Sequence, residues 1–322
     1  TISLDGGSTS KPLIDIEGAA VTELSKGFVE VVEDAVNFTY APKGAILKYY
    51  EDLLVESSDY GGIIKDLTHD DDYVYCVGST TNKVYKLQKS NLAKVAESTS
   101  YQKNIYAIAQ DYSFVYICGY ANVVHKIRKS DMVKVTESTG ATGILNALVM
   151  DENFIYCGGS HGKVFKIQKS DMTKVAESAS YGTIYTLAQD IDYIYCNGNS
   201  AYAVQKIRKS DMVKVAESTD YGSIIWGLAQ DKDYVYCGGT GGGVWKLQKS
   251  NMGKVAESPN YGGMIKTLKV NDLYVYCGGS TTQTIWILKK SNMGKVIEGP
   301  VYGGSIEAIT IDADNIYYGG TD

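Results

Sequence analysis

Proline is scarce in this chain, with four residues in 322. Its turns must therefore be built from Gly, Asn, Asp and Ser, and its extended runs are free of a residue that cannot donate to a ladder. No apolar run is long enough to cross a bilayer as a helix, which argues against membrane insertion. Basic charge is not in excess: the net charge is −6, which argues against nucleic acid as the main partner. Histidine is rarer still. His69, His125 and His161 fall in unlike positions and cannot easily share a metal. No Ser/His/Asp order or strained nucleophile turn stands out. Gly241-Gly242-Gly243 is followed by no helix, so it is not a phosphate loop. Asn37-Phe38-Thr39 is a lone glycosylation sequon. No cofactor is expected. There is no Gly/Ser or charged linker and no clear signal peptide, although Thr1 could be the start of a processed chain.

What the chain has is a repeat. Tyr-Cys-Gly or a near variant recurs at Cys76, Cys118, Cys157, Cys196, Cys237 and Cys277, 39 to 42 residues apart. Lys-Ser recurs at Lys89, Lys129, Lys169, Lys209, Lys249 and Lys290, and Glu-Ser or Glu-Gly from Glu56 to Glu298. Within the copy that starts at Asp231, Tyr234–Cys237, Val244–Leu247 and Lys254–Glu257 are short runs of β-formers, and Met264–Leu268 opens the next copy. Runs of this length, bounded by Gly, Asn, Asp or Ser, are strands and hairpins. Each unit is thus a four-stranded antiparallel meander, with strands A to D, and about 40 residues per unit is the arithmetic of a β-propeller blade.

The chain stops at Tyr317-Tyr318-Gly319-Gly320, just after a B strand. A solenoid would need polar caps, so a ring closed by N-terminal strands is the better reading, with residues 1–17 supplying strands C and D of the last blade. Ile14–Gly18 resembles the D strand at Lys295–Gly299, Asp34–Tyr40 resembles a B strand, and residues 44–57 read as a shortened C–D hairpin. The fold class expected is therefore all-β, a single propeller over 1–322 with eight blades favoured. The alternative is seven blades over 44–322 with residues 1–43 as a separate attachment segment, because Val21, Leu24, Phe28, Val31 and Ala35 also fit one face of a helix.

The units resemble WD40-like and YVTN-type propeller repeats, although the Gly-His and Trp-Asp dipeptides of WD40 proper are absent. The run KSDMxKVAESxxYGGxI followed by DYVYCGG is similar to tandem repeats of bacterial and bacteriophage tail-associated propellers. That resemblance implies a virion or cell-surface binding component rather than an enzyme, with other virion or assembly proteins as further partners. The cysteines, one on strand B of each of six blades, are expected to be buried, free thiols. Facing sheets lie roughly 10 Å apart, farther than a disulfide spans.

Propeller topology sorts the loops. The A–B and C–D turns carry Asp70, Asp111, Asp151, Asp190, Asp231 and Asp312 and the repeated lysines, read as a solvated ring of charge. The opposite face carries Tyr60, Tyr101, Tyr181, Tyr221, Tyr261 and Tyr302 in D–A loops, expected mainly to wedge between blades. It also carries variable B–C loops that include Tyr120, His161 and Tyr202. Tyr, Ser, Thr and Asn with little charge is the composition of adaptable recognition surfaces. On strand A one position differs in every copy while its neighbours stay constant: Lys65, Tyr106, Asn146, Tyr185, Trp226, Lys266 and Glu307. A position that changes charge and size between copies is not packed alike, and strand A is innermost, so these seven are expected at the mouth of the central channel. The function expected is a non-enzymatic module that binds a glycan or protein receptor. A structural scaffold is the alternative, and a channel-mouth lyase or hydrolase using Glu307, Lys65, Lys266 and Tyr106 comes third.

Overall fold

The short β-rich runs pair in chain order because each is followed by a tight Gly-, Asn- or Asp-containing turn. A computed structural model describes residues 29–32, 35–38, 47–50, 53–198, 200 and 202–321. In it, blade 1 consists of strands Ile64–His69, Tyr73–Gly78, Tyr85–Gln88 and Lys94–Glu97, hydrogen-bonded in that order. Blades 2 to 6 repeat the pattern, with A strands at Ile105–Gln110, Leu145–Met150, Leu187–Gln189, Ile225–Gln230 and Ile265–Val270. These six blades each use four consecutive strands. The seventh has only two strands of its own run, Ile306–Ile311 and Ile316–Gly320. Its outer pair comes from the other end of the chain, Leu47–Tyr50 and Leu53–Glu56. Leu47 faces Tyr318 and Tyr49 faces Ile316.

The expected eighth blade is not formed. The strands Val29–Val32 and Ala35–Phe38 make a separate two-stranded sheet. The hairpin that would have completed it, residues 47–56, is already paired with the last B strand. Closure is therefore made by 47–56 and not by residues 1–17, which lie outside the described residues. The helical reading of Val31 and Ala35 is also overturned, since both sit in strands; Val21, Leu24 and Phe28 lie outside the described residues.

The A–B turn is built on one carboxylate. Oδ1 of Asp111 accepts the backbone N–H groups of Ser113 (3.1 Å) and Phe114 (2.9 Å), and Oδ2 accepts the Tyr116 hydroxyl (2.9 Å). Asp70, Asp151, Asp190, Asp231 and Asp312 do the same. That second oxygen also meets an ammonium from the following blade. The pairs are Lys129–Asp70 (2.8 Å), Lys169–Asp111 (2.8 Å), Lys209–Asp151 (3.2 Å), Lys249–Asp190 (2.8 Å), Lys290–Asp231 (2.6 Å) and, across the closure, Lys89–Asp312 (2.6 Å). The lysine side chains are at most 16% exposed, so the expected solvated ring of charge is a set of half-buried clasps between blades. A second lysine, on strand C, spans the same interfaces. Lys126 Nζ donates to the Lys169 carbonyl (3.1 Å) and lies 4.4 Å from the Phe114 ring centre.

The seventh turn departs from the pattern. Asn271 replaces the aspartate and its amide donates to the Tyr276 hydroxyl (2.8 Å). The neutral amide keeps the tyrosine contact without an aspartate's charge.

The other repeated residues are also structural. Ser138 Oγ accepts the Val124 N–H at the start of strand C (2.9 Å), as Ser98, Ser178, Ser218 and Ser258 do in their blades. Glu137 receives Lys134 at 3.0 Å. In the KSDM turn, Asp131 Oδ1 accepts the Val133 N–H, and Met132 takes a left-handed backbone (φ 58°) that sends its side chain into the core. Gly278 has no side chain because a Cβ there would come within 2.8 Å of Ile306 in the next blade.

The six cysteines are free and buried. Five share one column, but Cys118 stands one residue later because Ile117 occupies that column in blade 2. A one-residue shift turns a strand side chain to the other face. Its sulfur accordingly lies 3.7 Å from the Leu145 carbonyl oxygen of the next blade. The expectation of one common position is corrected here.

Two measurements follow from the packing. Burial pushes the thiols up, to about 12 in Cys76, Cys157 and Cys277, so native protein should react with a thiol reagent at least tenfold more slowly than urea-unfolded protein (an order-of-magnitude expectation), which should titrate all six. Fast native labelling of any cysteine would contradict the packing. For the clasps, burial disfavours each aspartate's charge. The lysine, backbone N–H and tyrosine donors outweigh it, and the carboxyls lie below their usual range, Asp312 at about 2. A depressed native pKa means that the unfolded chain binds more protons. The stabilisation is thus complete above about pH 4 and is lost as pH falls toward about 2. Lys129→Met should lower stability by about 1–3 kcal/mol in urea at pH 7, with the difference from wild type shrinking in acid. A wild-type melting temperature unchanged from pH 5 to pH 2.5 would show that the clasps contribute nothing.

Candidate functional site: the channel mouth

The seven A strands pack side by side around the axis. In six of them the ladder slips by one residue near its start. In blade 1, Ile64 faces Gly78 but Asp66 faces Val77, leaving Lys65 as the extra residue. The same bulge leaves out Tyr106, Asn146, Trp226, Lys266 and Glu307. A bulge re-aims the side chain of its extra residue, which explains why this position varies while its neighbours do not. Blade 4 arrives differently. Asn197 stands where blades 3 and 5 have Gly158 and Gly238, and its Oδ1 accepts the N–H groups of Tyr185 (2.8 Å) and Thr186 (3.0 Å). Its A strand therefore begins only at Leu187.

All seven variable residues line one central cavity of about 540 Å³. Their distribution is uneven. Blades 4 and 5 contribute an aromatic pair, Tyr185 and Trp226, with ring centres 4.4 Å apart and planes at 41°. Lys266 lies 5.0 Å from the Trp226 ring centre and 3.5 Å from Glu307 Oε1. Glu307 Oε2 meets Lys65 Nζ at 3.2 Å, and its Oε1 accepts the Ser305 hydroxyl at 3.0 Å. Asn146 donates its amide to the Ile184 carbonyl (2.9 Å). The mouth thus has an aromatic side and, next to it, a charged side formed by blades 6, 7 and 1.

Of the loop residues expected to contribute, Tyr120 reaches the rim: its ring centre is 5.7 Å from that of Tyr106. His161 and Tyr202 lie in B–C loops and do not line the cavity. The D–A tyrosines are wedges, as their fixed repeat position suggested. Tyr60, Tyr261 and Tyr302 are at most 2% exposed, and the Tyr60 hydroxyl donates to the Lys83 carbonyl (2.6 Å).

Sequence reasoning passed over a second variable column, deeper in the channel. Lys269 stands where the other blades have Thr68, Ala109, Val149, Ala188, Ala229 and Thr310, and it lines the cavity together with Asp66. The change of charge within that column was the available signal. Asp66 faces inward, its oxygens accepting the N–H groups of Leu67 (2.9 Å) and Ile108 (2.8 Å). Burial raises its pKa against the pull of Lys269 and these two donors. Among the described residues no three His, Cys, Asp or Glu side chains come together as a metal site.

Glu307, only 11% exposed, holds two ammonium groups together. Glu307→Gln should cost about 2–4 kcal/mol in urea unfolding, because it leaves Lys65 and Lys266 facing each other without a counter-charge. Adding Lys65→Met should recover part of that loss. A silent Glu307→Gln would show that the triad is not coupled.

The sequence matches no protein-family profile, and no curated protein matches it. Solved structures do match in fold. The WD40 repeats of RRP9 superpose with TM-score 0.75 at 11% identity, over 88% of this chain and 92% of that one. The WD40 β-propeller domain of Doa1 gives 0.72 at 12% identity, over 87% and 94%. The computationally designed Ika8 protein gives 0.68 at 12% identity, over 83% of each. These comparisons bear on the WD40-like part of the resemblance and not on the tail-associated part. Four-stranded blades around a channel, superposing on two WD40 domains, give this chain the fold of a WD40-like β-propeller.

Proposed function

We propose that this ring is a non-enzymatic binding module that takes a glycan at the channel mouth, on the face formed by the B–C and D–A loops. The observation that carries the reading is the bulge. In six of the seven A strands it turns a variable residue toward a shared cavity, which Tyr185 of blade 4 reaches without it, while most of the repeat is committed to holding blades together. Small-ligand sites are concave, with apolar walls and a few placed polar groups. Tyr185 and Trp226 offer a flat face for the C–H surface of a sugar ring, and Asn146, Lys266 and Glu307 offer groups for its hydroxyls. Glu307 is engaged by two lysines and a serine, which supports binding over acid–base chemistry, since a general acid needs a free proton and a partner base.

A glycan array tests this with wild type, Trp226→Ala and Lys232→Ala. Lys232 is exposed on an A–B turn of the opposite face, whereas a clasp lysine such as Lys249 would change stability as well. Trp226→Ala should weaken binding of an array hit by about 30-fold, the loss of one aromatic anchor, with Lys232→Ala unchanged and both folded by thermal melt. Loss in Lys232→Ala with retention in Trp226→Ala would move the site to the other face, and an array without hits would overturn the sugar reading.

A further inference from the structure

The channel mouth is not electrically balanced. Lys65 and Lys266 share a single counter-charge, Glu307, at 3.2 and 3.5 Å. Lys269 lines the same cavity with no carboxylate within ion-pair distance among the described residues. The other carboxylate in the channel wall, Asp66, has both oxygens taken up by backbone N–H groups. Three ammonium groups, only two of which share a carboxylate at ion-pair distance among the described residues, leave a surplus of positive charge in a concave, partly desolvated space, where fields are focused rather than screened. An ammonium carries three donors, so Lys65 and Lys266 can each keep Glu307 and still reach a ligand. The neighbouring wall holds a second unfilled group. The indole N–H of Trp226 is shielded from solvent and has no acceptor among the described residues, and a shielded donor without a partner is costly unless a ligand or water supplies one.

We infer that the mouth selects an acidic sugar, with its ring on Trp226 and Tyr185 and its acid group held by Lys65, Lys266 and Lys269. This rests on the reading of the mouth as a sugar site and narrows it. A uronic or other carboxylated sugar and a sugar sulfate ester share this chemistry. Lysine, as a compact point charge, does not separate the two by geometry.

Paired probes test the inference. Uronic-acid oligosaccharides are compared with their carboxyl-reduced forms, and sulfated oligosaccharides with their desulfated forms, by direct binding at low and at physiological salt. In at least one pair the charged member should bind about tenfold or more tightly than its neutral partner, the worth of one charge-assisted hydrogen bond, with the preference shrinking as salt rises. The pair that shows it identifies carboxylate or sulfate as the source. Lys65→Gln, Lys266→Gln and Lys269→Gln, each checked by thermal melt, should reduce binding of the charged member about tenfold and leave the neutral member within about twofold. Equal binding of charged and neutral members would overturn the inference and leave the sugar reading standing. Absence of binding by any probe would overturn both. A charge preference that survives all three lysine variants would overturn the placement of the acid group.

Discussion

Six of the seven blades depend on a single carboxylate at the A–B turn. One aspartate closes the turn through backbone N–H groups, fixes the buried tyrosine of strand B, and receives the lysine of the following blade. Local turn chemistry and assembly of the ring are thereby the same interaction. A carboxylate with this many donors is ionised despite its burial, and the tyrosine hydroxyl beside it is held protonated, its own pKa pushed well up by burial and by the charge it faces. The turn residue, the strand tyrosine and the lysine must therefore recur together, which is why the sequence repeats so closely.

This division of labour frees the inner strands. With blade contacts made by clasps at one end, tyrosine wedges at the other and apolar columns between, the variable residue of strand A is left out of the repeated contacts. Copies that are uniform elsewhere carry Lys, Tyr, Asn, Tyr, Trp, Lys and Glu there. A repeat protein thus obtains an asymmetric cavity from a nearly symmetric frame, and the polarity of the mouth follows from the order of the copies along the chain.

Much of this was legible in the residues. The period of Cys and Lys-Ser marks the blades, and the variable column after Ile64, Ile105 and Leu145 marks the channel. What escaped did so for physical reasons. Blade number was overcounted because Val29–Val32 and Ala35–Phe38 have the composition of an A–B pair, and composition does not say with which strands a hairpin will pair. The charged turns looked solvated because Asp is common in turns. Its partner Lys129 is 59 residues away from Asp70, and only the closed ring brings them to 2.8 Å. Cys118 was misplaced because Ile117 shifts the column by one, a slip that matters in a strand, where alternate residues face opposite sides. Lys269 was missed because its column is small and apolar in most copies, which hides one charged member.

The junction of blades 6 and 7 has a property that its neighbours lack. Asn271 stands in place of the aspartate, Ile287 in place of the strand-C lysine, and the contact is an apolar cluster that includes Tyr276, Ile285, Ile306 and Tyr318. Six seams of the ring carry a carboxylate clasp at the A–B turn, and this one carries none there; its ion pair, Lys266 with Glu307, sits at the channel mouth instead. Protons weaken the six turn clasps and leave the turn of the seventh seam as it was. In strong acid the order of strengths around the ring is therefore rearranged: the seam without a turn clasp, one of the two flanking the blade assembled from both ends of the chain, has no turn carboxylate to lose.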